Sequence, residues 1–288
     1  MIRFDKYHGT GNDFVLVDAA EAVPDRRALA TELCHRETGV SHPSSDRVGA
    51  DGVLFLALED RYSPPRVVMT LVQPDGSTAS MCGNGARCAA AWAAERTGAS
   101  EIMIDTQAGT RHARIEDDGV TIEMGTPLFE PAAVPVLADE PVVEQDFEGY
   151  AVTAVNTGVP HAVIFVDDVA DVDLDAVAPA IRHAEIFPEG ANVNVASQRD
   201  DGGFDQRTFE RGVEGETRSC GTGAVAIAAA ARELGLVSGG SAVSVSPPGG
   251  DLEVTLTDGP AFLHGPVELD FRSEVPVSKP RRLDPTEA

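Results

Sequence analysis

One structural unit is written twice in this chain. Residues 82–98 read CGNGARCAAAWAAERTG, and residues 220–235 read CGTGAVAIAAAARELG. Each copy places Cys-Gly-x-Gly-Ala at the mouth of an alanine-rich helix, and each helix stops at glycine, the residue that tolerates a left-handed stop. Behind each helix comes a strand-like run, EIMID at 101–105 and AVSVS at 242–246, then a turn and a further strand. A chain that repeats one unit in its two halves is constrained to a two-lobed, pseudo-symmetric architecture. The boundary is expected in the proline-rich stretch 126–141. That gives an N-terminal lobe over 1–125, a C-terminal lobe over 126–264, and a tail, 265–288, that returns to the first lobe.

The remaining pattern sets the fold class. Apolar runs of period two, bounded by turn residues, recur at 14–18, 53–58, 67–72, 120–124, 152–155, 162–166, 243–246, 252–256 and 267–271. Helical patterns are fewer, at 25–36, 87–97 and 224–234. Many strands with a few long helices predict an α+β fold, not the strict alternation of a doubly wound sheet.

Charge removes whole classes of partner. Asp and Glu total 47 against 22 basic residues, a net charge of −25, and only Lys6 and Lys279 are lysine. Such a chain repels nucleic acid and anionic membranes. No run approaches the roughly 18 apolar residues of a membrane span. The N-terminal MIRFDKYHGTGND lacks a signal peptide's apolar core, so a cytoplasmic address is expected. Four cysteines (Cys34, Cys82, Cys88 and Cys220) in 288 residues do not make a disulfide framework. Because the acid is spread along the whole chain, we read it as adaptation to concentrated salt, which screens the self-repulsion of such a surface.

Cys-Gly-x-Gly at a helix start sets a sulfur beside unpaired backbone N–H groups and the positive end of the helix dipole, so a lowered thiol pKa is expected. The glycines let the same N–H groups approach and cradle a carboxylate. One such cysteine is as well explained as a small buried hydrophobe; two matched copies, one per half, point to paired chemistry. Two thiols facing across a cleft are what stereoinversion at a carbon needs. One thiolate removes the α-proton from one face, and the opposite thiol delivers a proton to the other. No cofactor is expected, since Lys6 and Lys279 lie near the termini and neither is placed for a Schiff base. The carbanion must then be stabilised by the helix N-termini, each well-placed donor contributing roughly 3 kcal/mol. Zinc held by Cys82, Cys88, His161 and Cys220 fits no ligand spacing, so no metal is expected. Cys34 and Cys88 read as core packing.

Six segments carry a family resemblance: KYHGTGNDFVLVD (6–18), VGADG (48–52), PDGSTASMCGNGARC (74–88), GVPHAV (158–163), ANVN (191–194) and ERGVEGETRSCGTGA (210–224). In order, and over nearly the whole chain, they resemble the signature segments of the diaminopimelate epimerase family. The resemblance implies two similar lobes, each a curled, mostly antiparallel sheet around a central helix, with the active site in the cleft between them. It implies a small-molecule amino-acid substrate, diaminopimelate, interconverted between its LL and meso forms on the way to lysine. By position, Cys82 and Cys220 match the acid–base pair, and His161 and Glu210 the residues that assist proton transfer. Gly83, Asn84, Gly221 and Thr222 match the cradle for the reacting carboxylate. Asn12, Gln73, Asn192 and Arg211 match substrate contacts, with Arg211 the natural bidentate partner of a distant carboxylate. A homodimer is left open.

Three positions depart from that pattern. Gln73 and Val159 stand where the family often has asparagine, and Gly52 where it often has glutamine. All three fall on contacts to the distal end of the substrate and none on the proton-transfer machinery. Other readings stay open at this point. A two-cysteine racemase of the proline or hydroxyproline type would not be expected to keep Arg211 and the HGTGND segment. A thiol hydrolase, with Cys82 as nucleophile and His161 as base, leaves Cys220 without a task. A non-catalytic amino-acid binder would have been free to lose one cysteine, and both are present.

Overall fold

The computed structural model describes residues 1–276 except 239 and 241; Lys279 and the end of the expected returning tail lie outside the described residues. The N-terminal half runs β1 (Ile2–Gly9), β2 (Asn12–Asp18), α1 (Arg26–Cys34), β3 (Gly52–Glu59), β4 (Arg66–Val72), β5 (Thr78–Ala79), α2 (Gly83–Thr97), β6 (Glu101–Thr106), β7 (Gly109–Glu116) and β8 (Gly119–Gly125). The C-terminal half runs β9 (Gln145–Phe147), β10 (Tyr150–Asn156), β11 (Pro160–Val166), α3 (Leu174–Arg182), β12 (Asn192–Gln198) and β13 (Phe204–Glu210). It continues with β14 (Gly215–Thr217), α4 (Gly221–Glu233), β15 (Ala242–Ser246), β16 (Leu252–Leu256) and β17 (Ala261–Gly265), followed by β18 (Glu268–Val275).

The duplication extends to every pairing. In the first half β1–β2, β3–β4, β6–β7 and β7–β8 are antiparallel, while β2–β3 and β4–β6 are parallel. In the second half β10–β11, β12–β13, β15–β16 and β16–β17 repeat the antiparallel steps, and β11–β12 and β13–β15 the parallel ones. Parallel neighbours need a crossover, and α1 and α3 supply the first in each half, α2 and α4 the second. The halves join where β8 pairs antiparallel with its counterpart β17, with Ile122 opposite Leu263. Strand β18 lies beside β1 as β9 lies beside β10. The architecture is the expected α+β one: two curled sheets, each around one helix.

The chemistry of the central helices explains the curl. Helix α2 packs against β1–β4 and β6–β8, and α4 against β10–β13 and β15–β17. A helix so enclosed can have no polar face, and every residue from Ala224 to Ala231 is buried. Alanine serves well here: it is the strongest helix former, and its short side chain lets strands approach from all sides. Outside the curl, α1 covers Val15, Val17, Val53 and Phe55, and α3 covers Ala162, Ile164, Val193 and Val195. Helix α3 is absent from the sequence expectations because Pro179 interrupts its pattern.

Strand parity then positions the site. Val163, Ala196 and Phe204 face the inner core around α4. Residues two, four and six positions away along the same strands point the same way. His161 on β11, Asn192 and Asn194 on β12, and Gln206, Thr208 and Glu210 on β13 therefore all face α4. Among the described residues, no helix is long and apolar enough to cross a membrane.

Candidate active site

Helices α2 and α4 begin against one another. Cys82 and Cys220 are their N-caps, both extended, and each sulfur accepts an N–H from the third helical residue, Gly85 at 3.4 Å and Gly223 at 3.3 Å. The first helical residues, Gly83 and Gly221, are neighbours. A methyl group on Gly221 would stand 3.9 Å from Gly83 Cα, an ordinary contact, but 2.8 Å from Leu263 Cδ2, so any side chain there would press on Leu263. The helical ladders begin only at Ala86 and Ala224, whose N–H groups reach the carbonyls of Cys82 and Cys220. The N–H groups of Gly83, Asn84, Gly221 and Thr222 thus precede the first intrahelical bond. Four such donors lie at two neighbouring positive helix ends, an arrangement suited to an anion.

Polar side chains clasp the two helix starts. Asn84 Nδ2 donates to Asn12 Oδ1 at 2.6 Å and to Ser219 Oγ at 3.0 Å, bridging the halves. Asn12 in turn donates to Asp51 Oδ2 at 3.1 Å. Arg36 pairs with both Asp51 and Asp13, and Asp13 also holds Lys6 at 2.5 Å. Lys6, which lies near the N-terminus in sequence, is wholly buried under this network. On the other side Thr157 Oγ1 donates to the carbonyl of Thr222 at 2.9 Å.

The inner faces of β11–β13 supply the titratable groups. Glu210 accepts from Thr217 Oγ1 at 2.7 Å, and its charge acts on the Cys220 thiol. His161 is fully buried and paired through Nδ1 with Asn194 at 2.8 Å. Asn192 accepts the backbone N–H of Arg211 at 2.8 Å, and the Arg211 guanidinium reaches the carbonyl of Glu189 at 3.1 Å. Gln73 is held differently. Its side-chain oxygen accepts from Ser77 Oγ at 2.7 Å inside the β4–β5 turn, and no hydrogen bond ties it to the cysteine cluster. Gly52 opens β3, where a methyl would stand 2.6 Å from Leu71 Cδ1, and Val159 lies in the β10–β11 turn.

The expected lowering of the thiol pKa values is overturned. Burial pushes Cys82 up to about 11 against the N–H of Gly85, which favours thiolate. Cys220 is pushed well above the usual thiol range by burial first and by the Glu210 carboxylate second, with the neighbouring Cys82 acting the same way. Loss of water around a sulfur outweighs one or two N–H donors. Burial likewise raises Glu210 and pulls His161 down to about 3, Arg211 adding to the second effect. The resting site holds two thiols and a neutral imidazole.

The diaminopimelate epimerase family model matches residues 4–130 and 153–269. A diaminopimelate epimerase from Methanocella arvoryzae is 44% identical over 286 residues, covering 96% of this chain and 97% of its own. This chain belongs to the diaminopimelate epimerase family. The Bacillus cytotoxicus diaminopimelate epimerase is 36% identical, over 92% of this chain and 94% of its own. Among solved structures, a hydroxyproline epimerase from Agrobacterium vitis superposes with a TM-score of 0.64 at 19% identity, covering 95% of this chain and 90% of its own. At that identity the likeness speaks for the fold alone.

Several groups around the site of this diaminopimelate epimerase family member escaped sequence reasoning. Asn194, Gln206, Thr217 and Ser219 bond to expected site residues or to their backbone, and Thr208 links Gln206 to Asn194. For Asn194, Gln206 and Thr208 the signal was present as polar residues at period two on β12 and β13, pointing inward where apolar ones belong. Arg87 also went unread. It is wholly buried, donates to Thr10 Oγ1 at 2.7 Å, and its charge favours a Cys82 thiolate.

Proposed function

We propose that this chain interconverts LL- and meso-diaminopimelate by moving a proton at the α-carbon between Cys82 and Cys220, with no cofactor as electron sink. The observation that carries the reading is the apposition of two cysteine-capped helix starts, bridged by Asn84 and Ser219. The α-carboxylate binds across the N–H groups of Gly83, Asn84, Gly221 and Thr222. One sulfur, as thiolate, takes the α-proton. The opposite thiol gives its proton to the other face, and the charge on the carboxylate is never released to water. Each donor aimed at the developing enediolate is worth roughly 3 kcal/mol, so four supply much of the needed stabilisation.

Because both thiols are protonated at rest, thiolate must form as substrate binds. Glu210, whose carboxylate acts on the Cys220 thiol, is the group we assign to receive that proton. The substrate's α-ammonium adds a positive charge beside the sulfurs, which lowers the cost of the thiolate. Arg211 and Asn192 serve the distal carboxylate. Gln73 joins them only if its bond to Ser77 opens, and Val159 offers no side-chain donor. Lys6 is committed to Asp13 and takes no part. The product leads to lysine, a cytoplasmic task, and the acidic surface suits concentrated salt.

Incubation with LL-diaminopimelate in deuterium oxide, with reductant and high salt, is the test. Wild type should place deuterium at the α-carbon and form the meso isomer; Cys82→Ala and Cys220→Ala should each abolish both. Full exchange in either variant sinks the two-thiol reading.

A further inference from the structure

We infer that Asn194, Thr208 and Gln206 are positioning residues that hold His161 with its proton on Nε2, so that during the reaction His161 donates a hydrogen bond instead of accepting a proton. The consequence for turnover rests on the proposed two-thiol reaction; the tautomer itself does not.

The polarity starts at the backbone. The carbonyl oxygen of Cys220 can only accept, so Gln206 must turn its amide nitrogen toward it, at 3.1 Å. The second hydrogen of that nitrogen goes to Thr208 Oγ1 at 2.9 Å. Thr208, accepting there, directs its own proton to Asn194 Oδ1 at 3.0 Å. That contact turns Asn194 Nδ2 toward His161 Nδ1 at 2.8 Å. Nδ1 is thereby an acceptor, and a neutral imidazole with an accepting Nδ1 carries its hydrogen on Nε2.

Nothing from solvent competes for these bonds, since all four side chains are at most 1% exposed. Burial, and the positive charge of Arg211, keep the ring neutral. His161 Nε2 has no hydrogen-bond partner among the described residues, so its hydrogen is reserved for a group that arrives: a thiolate or the substrate. The relay sits against the reacting sulfur. A methyl on Gly223 would overlap Asn194 Oδ1 and Gln206 Nε2 and would stand 3.2 Å from Cys220 Sγ. The second glycine of CGTG is thus what admits the relay beside the helix start. With both ring nitrogens assigned, His161 has no lone pair free to take a proton, and the base role falls to Glu210.

Nitrogen-15 NMR of the labelled wild-type protein, with the His161 signals assigned by their loss in His161→Gln, reads the tautomer directly. The expected spectrum shows hydrogen on Nε2 and none on Nδ1. Asn194→Asp keeps the shape but can only accept, so it should move the hydrogen to Nδ1 and slow α-deuterium exchange about 100-fold, the scale of one lost hydrogen-bond donor to a developing charge. Hydrogen on Nδ1 in wild type overturns the inference, as does an Asn194→Asp protein that exchanges at the wild-type rate. If Asn194→Asp does not fold, the wild-type spectrum alone decides. A wild type that exchanges deuterium while carrying Nδ1–H removes the relay but leaves the two-thiol reaction. One with Nε2–H and no exchange does the reverse.

Discussion

At Cys82 burial and the Glu210 carboxylate favour the thiol, the N–H of Gly85 and the charge of Arg87 favour the thiolate, and burial is the strongest of these influences. The thiolate is the form that alkylating reagents attack. Iodoacetamide should therefore modify Cys82 slowly in the substrate-free protein at neutral pH, the rate climbing as the pH rises toward 11. Mass spectrometry of timed digests follows this, and fast labelling at neutral pH would show that the helix end outweighs burial. Close packing gives the second residue-scale prediction. Gly221→Ala must push Leu263 aside. A cost of about 1–3 kcal/mol in urea unfolding is expected from such overpacking, together with a fall in kcat, because the four N–H groups at the two helix starts are displaced.

Among the elements, β17 carries the most. It closes the ladder from one half to the other by pairing with β8. Its Leu263 is fully buried, and a methyl on either Gly83 or Gly221 would lie within 3.4 Å of its Cδ2. One side chain thus underlies both helix starts. Leu263→Ala should cost about 2–5 kcal/mol, as large-to-small core changes do, and should also lower kcat. Ile104→Ala on β6 is the control. Ile104 is equally buried in the same core but is not among the groups that meet Gly83 or Gly221. Similar destabilisation with kcat intact is expected there. Equal losses of kcat in both variants would mean that the site senses only global stability. The inner faces of β12 and β13 teach a related lesson. Asn194, Gln206 and Thr208 blur the apolar alternation, which is why β13 was not legible as a strand, and the same residues build the polar relay.

For the molecule as a whole, charge weighs on stability. A net charge of −25 on 288 residues repels itself in dilute buffer, and salt shortens the reach of that repulsion to roughly 3 Å at molar strength. Circular dichroism melts should move to higher temperature between dilute buffer and molar potassium chloride. An unchanged Tm would rule out adaptation to salt. Pseudo-symmetry operates at this scale too. Each half alone would present one cysteine-capped helix start, and the β8–β17 seam with the Asn84–Ser219 bridge sets the two against each other.

Local chemistry is legible in a sequence because it involves neighbours along the chain. The twin Cys-Gly-x-Gly starts, the alanine-rich helices, the α+β class and the family all follow from residues a few positions apart. What the tertiary structure decided depends on residues far apart in the chain. The ionisation of the sulfurs is set by how much protein from both halves surrounds them, which reverses the sign that the helix start alone suggests. The tautomer of His161 is set by a carbonyl 59 positions further on, at Cys220, through three side chains on two other strands. Desolvation and hydrogen-bond polarity belong to the enclosure and not to the segment, so no reading of one segment could have supplied them.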